Sequence, residues 1–102
     1  MQNYNPPIIF EVILGDAYYN RGFFNVRVRY SELFGVDYSE IKIQLGKDSK
    51  KIIHGHINRR DNKNGTPRIF GGRELKQWIQ SNFRQGDVFK VEVLSSLSIK
   101  LS

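Results

Sequence analysis

Apolar residues recur at every second position through most of this chain, the pattern of strands with one buried face. Ile8, Phe10, Val12 and Leu14 alternate, with Glu11 on the opposite face. Phe24, Val26, Val28 and Tyr30 alternate again, and their other face carries Asn25, Arg27 and Arg29. Ile41, Ile43 and Leu45 mark a third strand, with Glu40, Lys42 and Gln44 outward. Residues 51–58 read as a fourth strand and 68–70 as a short fifth. Phe89, Val91 and Val93 mark a sixth, and Ile99 with Leu101 a seventh. One segment has helical spacing instead: Leu75, Trp78, Ile79 and Phe83 share a face, behind Gly71-Gly72 and ahead of Gln85-Gly86-Asp87. Residues 30–34 suggest a single helical turn with Ser31 as N-cap. Seven short strands with two short helices predict a mostly β, α+β fold, a seven-stranded open pseudobarrel rather than a doubly wound sheet.

Nothing in the chain reads as an interdomain linker, a repeat or a low-complexity tract, so one domain over residues 1–102 is expected, with 1–7 as a lead-in. No apolar run approaches the roughly 18 residues of a membrane span, and the first residues lack a signal-peptide pattern. There are no cysteines, which excludes disulfides, a Cys-based zinc site and a thiol nucleophile, and suits a cytoplasmic setting. Sixteen Lys and Arg against ten Asp and Glu leave a net charge of +6. A surplus of that size favours a polyanionic partner. It is also localised: residues 47–76 hold nine Lys or Arg and three acids, a net charge equal to that of the whole chain.

Two inter-strand segments carry the candidate chemistry. Residues 15–22 form a loop too long for a tight hairpin, holding Tyr18, Tyr19, Asn20 and Arg21 between Gly15 and Gly22. Tyr and Arg offer stacking, phosphate contact and bidentate guanine recognition, and Asn can pair with adenine. Either tyrosine could instead fold back over the core. Residues 58–68 hold Asn58, Arg59, Arg60, Asn62, Lys63, Asn64, Thr66 and Arg68, with Asp61 the one acid. Asn64-Gly65 predicts a type I′ turn at the tip of a projecting hairpin. Arg27 and Arg29 either extend the basic strip or form a solvated strand face.

The layout resembles the B3-like pseudobarrel DNA-binding domain, and most closely the target-recognition domains of bacterial restriction endonucleases. The resemblance rests on residues 17–26 after the first strand, on Ile57-Asn58-Arg59-Arg60 leading to residues 66–72, and on the closing helix and terminal strands. In that family two arms grip double-stranded DNA from the major-groove side. The resemblance implies an N-arm at 16–25 and a C-arm at 58–68, in a restriction–modification context where a nuclease domain or subunit does the cutting. Base contacts would come from Asn20, Arg21, Asn25, Arg60, Asn62, Asn64 and Arg68. Phosphate contacts would come from Lys50, Lys51, Arg59, Lys63 and Arg73, releasing counterions.

Other readings stay open. A single-stranded or RNA-binding barrel would use Tyr18, Tyr19, Phe23 and Phe70 as stacking platforms. A metal-dependent nuclease would be built on His54, His56 and Asp61, but two histidines on one strand face supply fewer than the three or four ligands zinc takes. The acids form no paired or Pro-Asp/Glu-x-Lys arrangement. A basic protein-interaction domain is a further alternative. The expectation is a binding domain, not an enzyme, with no cofactor and no metal.

Overall fold

The computed structural model describes residues 7–47 and 51–102, so Lys50 and most of the expected lead-in lie outside the described residues. Alternation produces seven strands: β1 (Ile8–Ile13), β2 (Phe23–Asn25), β3 (Glu40–Leu45), β4 (Ile52–Asn58), β5 (Arg68–Phe70), β6 (Val88–Ser95) and β7 (Ser98–Leu101). They join one sheet in the order β1-β6-β7-β3-β4-β5-β2, which curls into a nearly closed, barrel-like body. All neighbours are antiparallel except β3 and β7, which run parallel with Ile43 opposite Ile99. The edges β1 and β2 do not pair, and between them lies a cleft of about 280 Å³ lined by Phe10, Val12, Tyr18, Asn25 and Arg27.

The inward face of the strands is apolar, apart from the buried Ser95 at the end of β6. Val12, Phe24, Ile41, Ile43, Ile57, Ile69, Phe89, Val91, Ile99 and Leu101 form one buried cluster with Leu75 and Ile79 of the helix α2 (Gly72–Asn82). Leu75 and Ile79 are four apart and so share a stripe, as the spacing predicts. Trp78 is only half-buried, edge-on to Phe83 at 5.3 Å and to Phe89 at 6.3 Å, closing one end of the barrel.

Two elements differ from the expectation. Residues 15–22 are not an extended loop: Asp16–Arg21 form a short helix, α1, ended by Gly22 at φ 70°. Asp16 in the first turn and Arg21 in the last suit the helix dipole, and glycine takes the left-handed exit at little cost. The helix is stabilised by docking on α2. The Gln80 Nε2 donates to the Tyr19 carbonyl at 3.0 Å, and the Tyr19 hydroxyl donates to the Phe83 carbonyl at 3.3 Å. The second strand stops at Asn25, and Val28–Leu33 form a 3₁₀ helix in which Val28 is exposed. Arg27, not Ser31, occupies its N-cap. The alternation at Val28 and Tyr30 is therefore a coincidence of helical turn and strand period, and the Arg27–Arg29 strip is not a strand face.

Candidate nucleic-acid interface

The short β2–β5 ladder is the floor of the candidate site. Its outward residues form two rows, Phe23 opposite Phe70 and Asn25 opposite Arg68, and the next strand adds His56 and Asn58. The rows lie about 7 Å apart along the strands, two residues at roughly 3.3 Å each. The arms stand at opposite ends of this strip. α1 meets the Phe23 end, where the Tyr18 ring packs edge-on to Phe23 at 5.6 Å. The hairpin between β4 and β5 meets the Arg68 end, where Arg68 Nη1 donates to the Asp61 carboxylate at 3.3 Å.

Arg68 lies along the floor. Its guanidinium stacks over Phe23 at 4.5 Å, its Nε donates to Asn25 Oδ1 at 2.9 Å, and its Nη2 donates to Asn62 Oδ1 at 3.4 Å. Asn62 in turn donates both amide hydrogens, to Asn25 Oδ1 and to the Thr66 carbonyl, each at 3.1 Å. Asn58 Oδ1 accepts from the backbone N–H of Arg60 and Asp61, an Asx turn that opens the hairpin. The tip differs from a type I′ turn, which needs positive φ at both central residues. Gly65 donates its N–H to the Asn62 carbonyl and alone among residues 62–65 has positive φ, so it is the fourth residue of the turn.

Arg59 is reassigned. All five of its guanidinium hydrogens are donated to the protein: Nε to the Gly35 carbonyl, Nη1 to Ser31 Oγ and the Gly65 carbonyl, Nη2 to the Ser31 and Phe34 carbonyls, at 2.9–3.0 Å. It has no donor left for a phosphate, and it ties the C-arm to the 3₁₀ helix. Asn20 likewise has a local job, donating to the Asp16 carbonyl and carboxylate at 2.9 and 3.1 Å. Thr66 is buried. Tyr18 and Tyr19 pack against the core. Lys51 pairs with Glu74 at 3.7 Å.

Five expected contact residues keep exposed polar heads without a hydrogen-bond partner among the described residues: Arg21, Arg27, Lys63, Asn64 and Arg73. Arg21 and Arg73 flank a tight junction between α1 and α2, where the N–H groups of Gly71 and Gly72 both donate to the Gly22 carbonyl at 3.0 and 3.1 Å. Those donors are thereby used, which makes the glycine pair a bend and not a phosphate cradle. Lys63 and Asn64 stand at the hairpin tip.

No protein-family model matches this chain. No curated protein matches it as a relative either.

Sequence reasoning missed Asp37 and Tyr38. Asp37 Oδ1 accepts from the Arg59 backbone N–H at 2.8 Å and Oδ2 from Arg60 Nε at 3.1 Å. The Arg59 N–H, with help from Arg60, holds the Asp37 carboxyl below the usual carboxylate value. The contacts span more than twenty positions, so no local pattern announces them. As for a metal, His54 faces Glu40 at 3.5 Å and His56 stacks on Phe70 at 4.9 Å, but no cluster of three potential ligands occurs among the described residues. No helix among them is long and apolar enough to cross a membrane.

Proposed function

We propose that this domain binds double-stranded DNA in a sequence-specific manner through two arms, as a B3-like target-recognition module of a restriction–modification system. The observation that carries the reading is the pairing of free cations at both ends of one braced strip. Arg21 and Arg73 stand at the α1 end, and Lys63 at the hairpin end. Charges separated across a floor suit two phosphate backbones flanking a groove, and phosphate contacts fix register while the groove is read between them. Arg68 braces the floor and Arg59 ties the C-arm to the 3₁₀ helix, so the arms are positioned before any ligand arrives, which reduces the ordering cost of binding. In this reading strand cleavage belongs to another domain or subunit.

The single-strand alternative draws less support. It needs exposed aromatic faces, yet Phe23 is buried under Arg68, and Tyr18 and Tyr19 pack inward. Selection from a randomised duplex library, with single-stranded DNA and RNA as competitors, tests the proposal. A motif of several base pairs, retained against competitors, is the expected result. Equal competition by single strands, or bound duplexes without any shared sequence, would overturn it.

A further inference from the structure

Of the two exposed cations of the hairpin, Arg60 and Lys63, Arg60 alone is aimed. Its side chain is 65% exposed, yet it is held at two points. The guanidinium lies over the Tyr38 ring at 4.3 Å, and its Nε–H is taken by Asp37 at 3.1 Å. Neither Nη group has a partner among the described residues. What remains is a planar pair of donors on the edge away from Asp37, in a fixed plane.

The support beneath Arg60 is itself costly. Tyr38 has φ 68°, the one non-glycine residue with positive φ among the described residues. A bulky residue there is a conformational outlier that persists only where its surroundings enforce it. Here the Tyr38 N–H donates to the Ile57 carbonyl at 2.7 Å, and the flanking Asp37 is tied to Arg59. Glycine would fit that backbone better. Tyr38 is 63% exposed, so it adds little to the core, and its ring lies against the Arg60 plane.

A phosphate contact requires charge and little orientation. Asp37 works against that role, because its carboxylate neutralises Arg60 locally and repels a phosphate. The same carboxylate fixes the direction of the two remaining donors. Directed donors with reduced net charge are what base reading requires: end-on Nη1 and Nη2 match the O6 and N7 acceptors of guanine in the major groove.

We infer that Arg60 reads a guanine, with Asp37 and Tyr38 as its positioning residues, so that the loop of residues 34–39 is a third part of the interface. This rests on the duplex-binding reading proposed above.

The experiment begins with the motif selected by the wild-type chain, then compares Arg60→Ala, Asp37→Asn, Tyr38→Gly and Tyr38→Phe on that site, on each single-base-pair variant and across a salt series. Arg60→Ala should lose about 5- to 150-fold on the selected site and should cease to discriminate at one G·C pair, with its salt slope unchanged. Asp37→Asn, which keeps an oxygen for the Arg59 N–H, and Tyr38→Gly should each lose part of the discrimination at that same pair, and Tyr38→Phe should retain it. Thermal melts identify any variant whose loss comes from unfolding, and Tyr38→Gly is chosen because it relieves the backbone. A uniform loss for Arg60→Ala on all duplexes, with a lower salt slope, would make Arg60 a phosphate contact and overturn the inference while leaving duplex binding intact. Full discrimination in both Asp37→Asn and Tyr38→Gly would overturn the positioning roles. Absence of any selected motif would overturn the duplex reading, and this inference with it.

Discussion

Arg59 forks onto Ser31, its Nη1 donating to the hydroxyl and its Nη2 to the carbonyl of the same residue, both at 2.9 Å. The two residues lie 28 positions apart, in the hairpin base and the 3₁₀ helix. One side chain thus supplies the link that a longer ladder would supply in a larger sheet.

Arg59→Ala should consequently act on stability and not on phosphate affinity. Removing it strands the Phe34, Gly35 and Gly65 carbonyls, for a loss of about 2–3 kcal/mol. In a domain of this size that corresponds to a fall in Tm of about 10–20 °C. Arg59→Lys should recover little, since one ammonium cannot serve five acceptors in a plane. A calorimetric melt of both variants checks this, and a Tm unchanged for Arg59→Ala would refute it.

Lys63→Ala and Arg73→Ala should behave in the opposite way. Both side chains are exposed and without partners among the described residues, so Tm should move by no more than about 0.5 kcal/mol of equivalent stability. Binding to any duplex should weaken, and the slope of log affinity against log salt should fall by about one for each lost phosphate contact. Fluorescence anisotropy across a salt series measures it.

Gly22→Ala should cost more than Gly72→Ala. Both glycines have φ near 70°, so each substitution carries a left-handed penalty of about 1–2 kcal/mol. At Gly72 a Cβ would enter open space, whereas at Gly22 it would collide with the Gly72 carbonyl. The extra cost falls on the α1–α2 junction that positions Arg21 and Arg73. Urea denaturation of the two variants side by side gives the ranking, and equal midpoints would contradict it.

The pH response should carry the mark of Asp37. Its pKa is lowered in the folded state, first by the Arg59 N–H and then by Arg60. A depressed carboxylate stabilises above its unfolded pKa, and that stability is lost as pH falls through the folded value. Wild type should therefore exceed Asp37→Asn in urea midpoint at neutral pH. The gap should shrink as pH falls below about 4, the ordinary aspartate value. A gap that stays constant down to pH 2 would assign the effect of the substitution to packing.

The strands and α2 were legible in the sequence because their signals are local. Alternation at Ile41, Ile43 and Leu45 and the Leu75–Ile79 stripe each lie within one element. α1 was missed because six residues are too few to show a period, although Asp16 and Gly22 are its start and stop signals. At the site, composition identified the hairpin but not the division of labour within it. Arg59, Arg60, Lys63 and Arg68 look alike in sequence. What separates a strut from a free head is the set of distant acceptors each one meets, at Ser31 and Gly35 for Arg59, at Asn25 for Arg68 and at Asp37 for Arg60.

The place of β7 between β6 and β3 bears on how this chain is made. β1 has β6 as its ladder partner, and β6 reaches the rest of the sheet through β7. A chain growing from its N-terminus can pair β3, β4, β5 and β2 early, but β1 must wait for its ladder partner until β6 and β7 have been synthesised. Completion of the domain is then a late, non-local event of high contact order, in the range of about milliseconds to seconds. Until it happens, β1 lacks a ladder partner on either side, and a nascent chain must keep it from neighbouring strands.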